Sequence, residues 1–305
     1  MAIDDPDWPR ADRWLAAGAA SPDLVVTGVP SSCSSLTASQ ARRTPGELRR
    51  VLAGFSTYDG ENDRDLASLG VRDDGDWDVP DTDPVDAAAA VREAARGLDP
   101  GPVRVFVGGD NAITRPLVTG LWGEDLAATG VLTFDAHHDV RTLDRGPSNG
   151  SPIRGLVEDG LPPAHIVQVG IHTFANSAAY RRWCEERGIL VISMRRVQKD
   201  GIDSVVNGAL GRLAGRCARI FVDFDIDVLD RAFAPACPGS RPGGMAPRDL
   251  LRAAELCGAH PGVAACDLVE VDPERDRDDL TLMNTAAVLL SFASGLVLRR
   301  DMARG

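Results

Sequence analysis

The stretch Val131-Leu132-Thr133-Phe134-Asp135-Ala136-His137-His138-Asp139 decides how this chain is organised. Residues 131–134 are apolar or β-branched, and acidic and imidazole side chains follow them directly, as is typical of a buried strand whose carboxyl end meets a ligand. Asp135, His137 and Asp139 occupy alternate positions, and alternate side chains of an extended segment point to the same side. The stretch therefore predicts a buried strand that delivers three potential metal ligands to one point.

Further apolar runs along the chain resemble residues 131–134, and helical patterns separate them. The predicted strands are Leu24–Gly28, Val103–Val107, Val131–Phe134, Ile166–Val169, Leu190–Ile192, Ile220–Phe224 and Val263–Val269. The predicted helices begin at Thr44-Pro45 (a capping box with Glu47), Asp83-Pro84, Pro247 and Thr281, and the last one runs through Leu298. Alternation of strands and helices predicts an α/β fold, a parallel sheet with helices on both faces.

The domain organisation is predicted to be simple. No internal repeat or low-complexity linker interrupts the chain, so residues 1–305 are expected to form one domain, with 1–20 as an N-terminal extension or first helix. The acidic stretches 58–86 and 272–279 are predicted to be solvated loops.

The composition excludes several classes of protein. The net charge of −12 argues against binding to nucleic acids or anionic membranes, both of which require basic surfaces. We find no apolar stretch of transmembrane length and no secretory signal, and the six cysteines are scattered without a CxxC pair. These features predict a cytoplasmic protein with reduced thiols.

Chemically active side chains follow four of the predicted strands. They are found in Gly108-Gly109-Asp110-Asn111, in Asp135–Asp139, in Asp225-Ile226-Asp227 and at Glu270. Because ligands of open α/β sheets bind at the carboxyl ends of the strands, we expect these groups to collect at one edge of the sheet.

Several aspartates crowded together would repel one another, and divalent cations would relieve that repulsion. A donor set of carboxylates with some imidazole suits Mn²⁺ better than zinc. Two such ions would lower the pKa of a bridging water, and the resulting hydroxide could attack a planar, electrophilic carbon. Glu270, just beyond the metals, would then hold an amidinium or guanidinium group.

The alternative for each single motif is a structural one. Aspartates at strand ends commonly cap helices or lie in turns, so one DxHxD or DxD alone is weak evidence for a metal. His138 is expected to point to the opposite face from His137. His165, His172 and His260 lack carboxylate-rich neighbours in the sequence and are interpreted as ordinary histidines.

The motifs GGDN (108–111), FDAHHD (134–139), DFDIDVLDRAFAP (223–235) and LVEVDP (268–273), in this order, resemble those of the ureohydrolase family. The resemblance extends from about Val25 to the final helix. It implies a three-layer αβα fold around an eight-stranded parallel sheet, two Mn²⁺ ions and a homo-oligomer, a trimer or a hexamer. The implied metal ligands are Asn111, Asp135, His137, Asp139, Asp225 and Asp227, with Asp135 and Asp225 bridging. Asp139 would also transfer a proton, and Glu270 would bind the amidino group.

One implied ligand departs from the family pattern. Asn111 stands where the family usually has a histidine, so the first metal site is expected to bind weakly. Asp223 and Asp272 also differ from the residues common at these positions.

The segment after the metal motif resembles the formimidoylglutamase branch of the family. It contains Arg141 and the run Ser148-Asn149-Gly150-Ser151-Pro152-Ile153-Arg154. The resemblance implies Mn²⁺-dependent hydrolysis of N-formimidoyl-L-glutamate to glutamate and formamide, a step of histidine degradation. The predicted substrate-binding residues are Arg141, Asn149, Ser151, Arg154 and Glu270. Arginines suit a substrate with two carboxylates and would repel agmatine, a dication.

Two alternatives remain open from the sequence. An agmatinase or guanidino-acid hydrolase would use the same metals and release urea. A catalytically silent relative that binds metal without turnover would account for Asn111.

Overall fold

The computed structural model describes residues 5–304, so the first four residues of the predicted N-terminal extension lie outside it. The strands are β1 Leu24–Val29, β2 Tyr58–Asp59, β3 Arg64–Asp65, β4 Val71–Asp76, β5 Val103–Gly108, β6 Thr129–Phe134, β7 Ile166–Ile171, β8 Leu190–Ser193, β9 Arg219–Asp225 and β10 Val263–Val269. The α-helices are α1 Ala11–Leu15, α2 Thr44–Leu52, α3 Pro84–Arg96, α4 Thr114–Trp122, α5 Pro152–Glu158, α6 Ala178–Arg187, α7 Met194–Asp200, α8 Ile202–Ala214, α9 Pro247–Ala259 and α10 Leu280–Arg304.

Eight of the strands form one parallel sheet in the order β4-β1-β5-β10-β9-β6-β7-β8. Alternate residues of the buried strands face two different apolar layers. Leu132 and Phe134 pack in one layer, and Val131 packs in the other. Since apolar layers lie on both faces, the predicted α/β fold with a covered parallel sheet is confirmed.

The acidic stretch 58–86 is not all loop, and that part of the prediction is wrong. Residues 71–76, with the sequence VRDDGD, form edge strand β4 and pair with β1, and 58–65 form a short antiparallel hairpin. Four of the six residues in β4 are charged and only Val71 is buried, so the strand lacks the apolar pattern that marks a central strand.

The predicted helix starts at Thr44, Asp83-Pro84 and Pro247 are confirmed, and the last helix begins at Leu280, one residue before the predicted Thr281. The capping box predicted at Thr44 is wrong. Asp83 caps α3 by accepting hydrogen bonds from the backbone N–H groups of Val85 and Asp86 at 2.8 and 3.1 Å. Thr44 does not form the predicted capping box, because it already lies inside α2 and its hydroxyl donates to the carbonyl of Val271 at 2.7 Å.

Helix α10 corrects the expectation that no segment reaches transmembrane length. Residues Leu280–Ala303 are long and apolar enough to span a membrane, with a mean hydropathy of 1.7 in the most apolar window. Two thirds of that window is buried inside the protein, however, and α10 packs closely on α9. A Cβ at Gly258 would overlap the carbonyl of Phe292, and a Cβ at Gly295 would overlap that of Glu255. The helix is therefore a core element of this fold.

Candidate metal centre and substrate cavity

The sheet order brings the predicted site residues together. Strands β5, β10, β9 and β6 are consecutive neighbours in the middle of the sheet. The segments that follow them begin at residues 109, 270, 226 and 135, so the polar groups of all four strands meet at one edge.

Two overlapping groups of side chains lie close enough to hold metal ions. Asp135, His137 and Asp227 form one group, and Asp135, Asp139 and Asp225 form the other, with the ligand atoms of each group within 4.8 Å of one another. Asp135 belongs to both groups, so two ions held there would share its carboxylate. Every carboxylate in the two groups is at most 8% exposed.

Turns, rather than extended strands, produce the convergence of ligands two residues apart. Oδ1 of Asp135 accepts the backbone N–H of His137 at 2.6 Å, and Oδ1 of Asp225 accepts that of Asp227 at 2.8 Å. Each aspartate thus closes a local turn with Oδ1, and its Oδ2 points away from that turn. Oδ2 of Asp135 is buried and has no hydrogen-bond partner among the described residues.

Two further residues of the site adopt left-handed backbone conformations. Asp139 has a φ of 53° and Glu270 has a φ of 70°. Such values are uncommon for residues other than glycine and are found where a functional geometry overrides local preference.

Without a cation, the buried carboxylates of the two groups repel one another. Burial raises the pKa of Asp135 to about 6, and the charge of Asp227 adds to this effect. Burial and neighbouring carboxylates also raise the pKa values of Asp139 and Asp225 well above the usual range. Burial would raise the pKa of Asp227 too, but His137, whose Nδ1 lies 2.8 Å from Asp227, lowers it. A buried, unpartnered oxygen among repelling carboxylates fits a divalent cation.

Asn111 does not turn its oxygen toward the carboxylates. Its Nδ2 donates to Oδ2 of Asp139 at 2.8 Å and to Oδ2 of Asp225 at 3.2 Å. Its Oδ1 accepts the hydroxyl of Thr114 at 2.7 Å. The amide therefore occupies the position of a hydrogen-bond donor, and ligation through its oxygen, as the sequence predicts, would require the amide to turn over.

Glu270 lies beside the metal groups and is held on one side. Its Oε1 accepts the backbone N–H of Asn111 at 2.8 Å and Nδ2 of Asn149 at 3.0 Å. Burial, followed by the charge of Asp110, raises the pKa of Glu270 to about 8. Because Oε1 carries both hydrogen bonds, Oε2 is the oxygen left for a ligand.

Four of the six predicted metal ligands, His137, Asp139, Asp225 and Asp227, line one cavity of about 170 Å³ together with Glu270, and Asn111 and Asp135 lie outside its lining. Its lining residues are Leu36, Thr37, His137, Asp139, Arg141, Asn149, Gly150, Asp225, Asp227, Pro238, Gly239, Arg241 and Glu270. A second cavity of about 290 Å³ shares His137, Asp139, Arg141 and Gly150 and continues toward Asn176 and Tyr180. Arg141 thus lies where the two cavities meet.

Two predicted substrate residues lie outside both cavities. Arg154 pairs with Glu158 at 2.9 Å and stands over the ring of Trp183. Ser151 is buried, and its hydroxyl donates to the carbonyl of Ser148 at 2.9 Å. Asn149 does line the cavity, but its Oδ1 accepts the backbone N–H of Leu36 at 3.0 Å, so its amide joins the loop before α2 to Glu270.

The remaining histidines near the site are structural. Nδ1 of the buried His138 contacts Oε1 of Gln168 at 2.7 Å, and Nε2 of His172 contacts the carbonyl of Val228 at 2.9 Å. Neither belongs to the metal groups found among residues 5–304.

The sequence interpretation missed Leu36, Thr37, Gly239 and Arg241, which belong to loops without a motif. The only available signal for the last two was their position shortly after the DxD segment.

Comparison with known proteins agrees with this geometry. The sequence model of the arginase family matches residues 22–295. The chain is 38% identical to formimidoylglutamase of Halalkalibacterium halodurans over 89% of this chain and 86% of that protein. The crystal structure of formimidoylglutamase from Bacillus subtilis superposes with a TM-score of 0.91 at 33% identity, covering 98% and 95% of the two chains. A formiminoglutamase of Trypanosoma cruzi with Mn²⁺ has the same fold, with a TM-score of 0.87 at 21% identity over 96% and 100% of the two chains.

Proposed function

The chain belongs to the arginase family, and from that premise we propose that it is a Mn²⁺-dependent hydrolase that converts N-formimidoyl-L-glutamate and water to L-glutamate and formamide. The observation that carries this proposal is the charge distribution of the cavity. Buried carboxylates line it beside Glu270, and the exposed Arg141 lines it as well. An amidine with carboxylates at the other end matches both regions.

The two groups that share Asp135 are proposed to hold two Mn²⁺ ions. His137 and Asp227 would complete one site, and Asp139 and Asp225 would complete the other. Of the two bridging ligands that the family resemblance implies, Asp135 belongs to both groups and Asp225 to the second. When bound, two divalent cations lower the pKa of water and so supply a nucleophile at neutral pH. The donor set fits them, since it offers oxygens and one imidazole and no thiolate.

Glu270 is proposed to bind and orient the amidine. Its free Oε2 accepts an N–H of the formimidoyl group, while Asn149 and the Asn111 backbone fix Oε1. A cationic amidine beside Glu270 lowers the raised pKa of that carboxyl, and the carboxylate in turn favours the cationic form of the substrate, whose imino carbon is more electrophilic. Asn149 is therefore a positioning residue for Glu270 in this proposal.

Asp139 is proposed to carry the proton to the leaving amine. Its Oδ2 accepts Nδ2 of Asn111, so Oδ1 is the oxygen that can hold a proton. Asp139 is buried and lines the cavity together with Glu270, so its carboxylate lies beside the position proposed for the amidine and its leaving nitrogen. Addition of water to the imino carbon, cleavage of its bond to the glutamate nitrogen and protonation of that nitrogen give glutamate and formamide.

A substrate panel tests the proposal. Purified protein supplemented with Mn²⁺ is incubated with N-formimidoyl-glutamate, agmatine, arginine or guanidinobutyrate. Formamide is followed by proton NMR and urea by a colour reaction, with chelator-treated protein as the control. Formamide from the first substrate alone supports the proposal. Urea from any of the others would overturn the substrate assignment and leave the metal chemistry in place, whereas no turnover with Mn²⁺ bound would favour the silent relative.

We also propose that the enzyme acts in the cytoplasm as a homo-oligomer. All six cysteines are free in the described structure, as suits a reducing compartment. The oligomeric state rests on the family resemblance, and light scattering of the purified protein measures it directly.

A further inference from the structure

Arg241 lies on a loop that packs directly against the metal groups. A Cβ added to Gly239 would overlap Oδ2 of Asp227 and would lie 3.1 Å from Cε1 of His137. The backbone two residues before Arg241 is therefore in contact with Asp227 and His137, which line the cavity. Arg241 itself lines the same cavity as Asp139 and Glu270.

The loop holds the Arg241 guanidinium in place without neutralising it. Nη1 donates to three consecutive backbone carbonyls, those of Pro238 at 3.1 Å, Gly239 at 2.8 Å and Ser240 at 2.9 Å. Within residues 5–304, no carboxylate pairs with Arg241, and its Nε and Nη2 groups make no hydrogen bond. The three N–H bonds of Nε and Nη2 are thus free for a ligand.

Arg141 borders the same cavity from the loop that follows β6. Its side-chain stem lies against Gly150, because a Cβ there would come within 2.6 Å of Cδ and 2.9 Å of Nε of Arg141. No carboxylate of the described chain pairs with Arg141 either. By contrast, Arg115 and Arg154 in the neighbouring helices are both paired with acidic residues.

Both unpaired arginines therefore face a cavity in a protein of net charge −12. Such a surface repels a dianionic substrate unless local positive charge compensates. We infer that Arg241 and Arg141 form a clamp that takes one carboxylate each of a dicarboxylate amidine. This inference rests on the proposed function. It assigns part of the substrate specificity to Arg241, which lies outside the sequence motifs.

The test combines variants with substrates that lack one carboxylate. Arg241→Gln and Arg141→Gln are assayed on N-formimidoyl-glutamate and on its two monoamides, in which either the α- or the γ-carboxylate is replaced by a carboxamide. Arg248→Gln is the matched control, since that side chain is 88% exposed and lies outside the cavity. Arg241→Lys retains the positive charge and is expected to restore part of the lost affinity.

We expect Arg241→Gln to raise KM for N-formimidoyl-glutamate roughly 10- to 100-fold while kcat changes less than about threefold, as for a lost charge-assisted hydrogen bond. This rise in KM should disappear for the monoamide that lacks the carboxylate bound by Arg241. The rise in KM caused by Arg141→Gln should disappear for the other monoamide. A KM within about twofold of wild type would overturn the clamp. An equal penalty on all three substrates would also overturn it, because it would show that Arg241 only stabilises its loop.

A binding measurement separates this inference from the proposed function. Calorimetric titration of the Mn²⁺-loaded protein with glutarate reports the clamp without any turnover. If the wild type binds glutarate at least about 10-fold more tightly than Arg241→Gln, the clamp stands even where the substrate panel yields no formamide. If formamide is produced and the two proteins bind glutarate equally, the clamp is wrong and the proposed function stands.

Discussion

Substitution of Gly239 by alanine tests the metal centre through a single methyl group. The added Cβ would overlap Oδ2 of Asp227 and approach Cε1 of His137. The φ angle of Gly239 lies outside the left-handed region, so alanine is compatible with the backbone at this position. The clash is therefore confined to the side chains proposed to hold one metal ion.

The expected magnitude follows from this geometry. To restore normal van der Waals contact, the Asp227 carboxylate has to move by about 1 Å. That movement strains its hydrogen bonds to the Ala136 backbone at 3.1 Å and to Nδ1 of His137 at 2.8 Å. A misplacement of about 1 Å at a reacting centre costs roughly 100-fold in rate. We expect Mn²⁺ affinity at this site to fall roughly 10- to 100-fold and kcat/KM for N-formimidoyl-glutamate to fall roughly 100-fold.

Isothermal titration of chelator-treated protein with Mn²⁺ measures the number and affinity of the sites, and the formamide assay measures kcat/KM. Gly208→Ala is the matched control, because this glycine lies in α8 with nothing within 4 Å of an added Cβ. That control should gain about 0.5–1 kcal/mol of stability with unchanged metal binding. If Gly239→Ala binds two ions with wild-type affinity, Asp227 does not ligate a metal and the proposed arrangement is wrong.

Four further predictions concern the same centre. Asp135→Asn should abolish tight binding of both ions in a Mn²⁺ titration, because the amide oxygen can still accept the His137 N–H but the shared ligand oxygen is replaced by NH₂. Glu270→Gln should lower kcat/KM roughly 10- to 100-fold with the Mn²⁺ stoichiometry unchanged, since it removes the charge that faces the amidine. Asn111→His should increase Mn²⁺ affinity in the same titration; turnover appearing only in this variant would favour a silent wild type. Burial raises the pKa of Asp110 to about 7, so the free energy of unfolding of chelator-treated protein in urea should fall as the pH rises from about 4 to about 7. The Asp110 carboxyl ionises at a lower pH in the unfolded chain than in the folded one. Asp135, Asp139, Asp225 and Glu270, whose pKa values are also raised, contribute in the same direction, so Asp110→Asn should make the profile less steep; an equally steep profile in that variant would contradict the assignment.

The sequence predicts the middle of the sheet well because burial on both faces leaves a continuous apolar pattern. Strands β5, β6, β9 and β10 are largely apolar runs of this kind, and the polar residues that follow them form the candidate site. Edge strand β4 escapes prediction since Asp73, Asp74 and Asp76 at the border of the sheet look like a loop. Pattern arguments depend on burial, and β4 is mostly not buried.

The walls of the cavity could not be predicted from the sequence because they depend on contacts between distant segments. Asn149 and Glu270 are 121 residues apart in the chain, and Asn149 and Leu36 are 113 apart. The sequence gives no reason to prefer Arg141 or Arg154 as a substrate-binding residue. In the structure, Arg154 pairs with Glu158, which lies one turn further along α5. Because this ion pair lies within α5 and outside both cavities, the charge of Arg154 does not contribute to the site.

The proposed metal ligands converge as the sequence predicts, but for a different physical reason. Alternation in an extended strand predicts that Asp135 and His137 point to one side, and they do converge, but beyond the end of β6. The convergence comes from the carboxylate of Asp135, which binds the N–H of His137 and bends the chain. Asp225 and Asp227 repeat the same turn after β9. An aspartate at the first position therefore closes the turn, and in the proposed centre it also ligates a metal. The spacing of two is thus a property of the turn, which explains why the motif begins with aspartate on both strands.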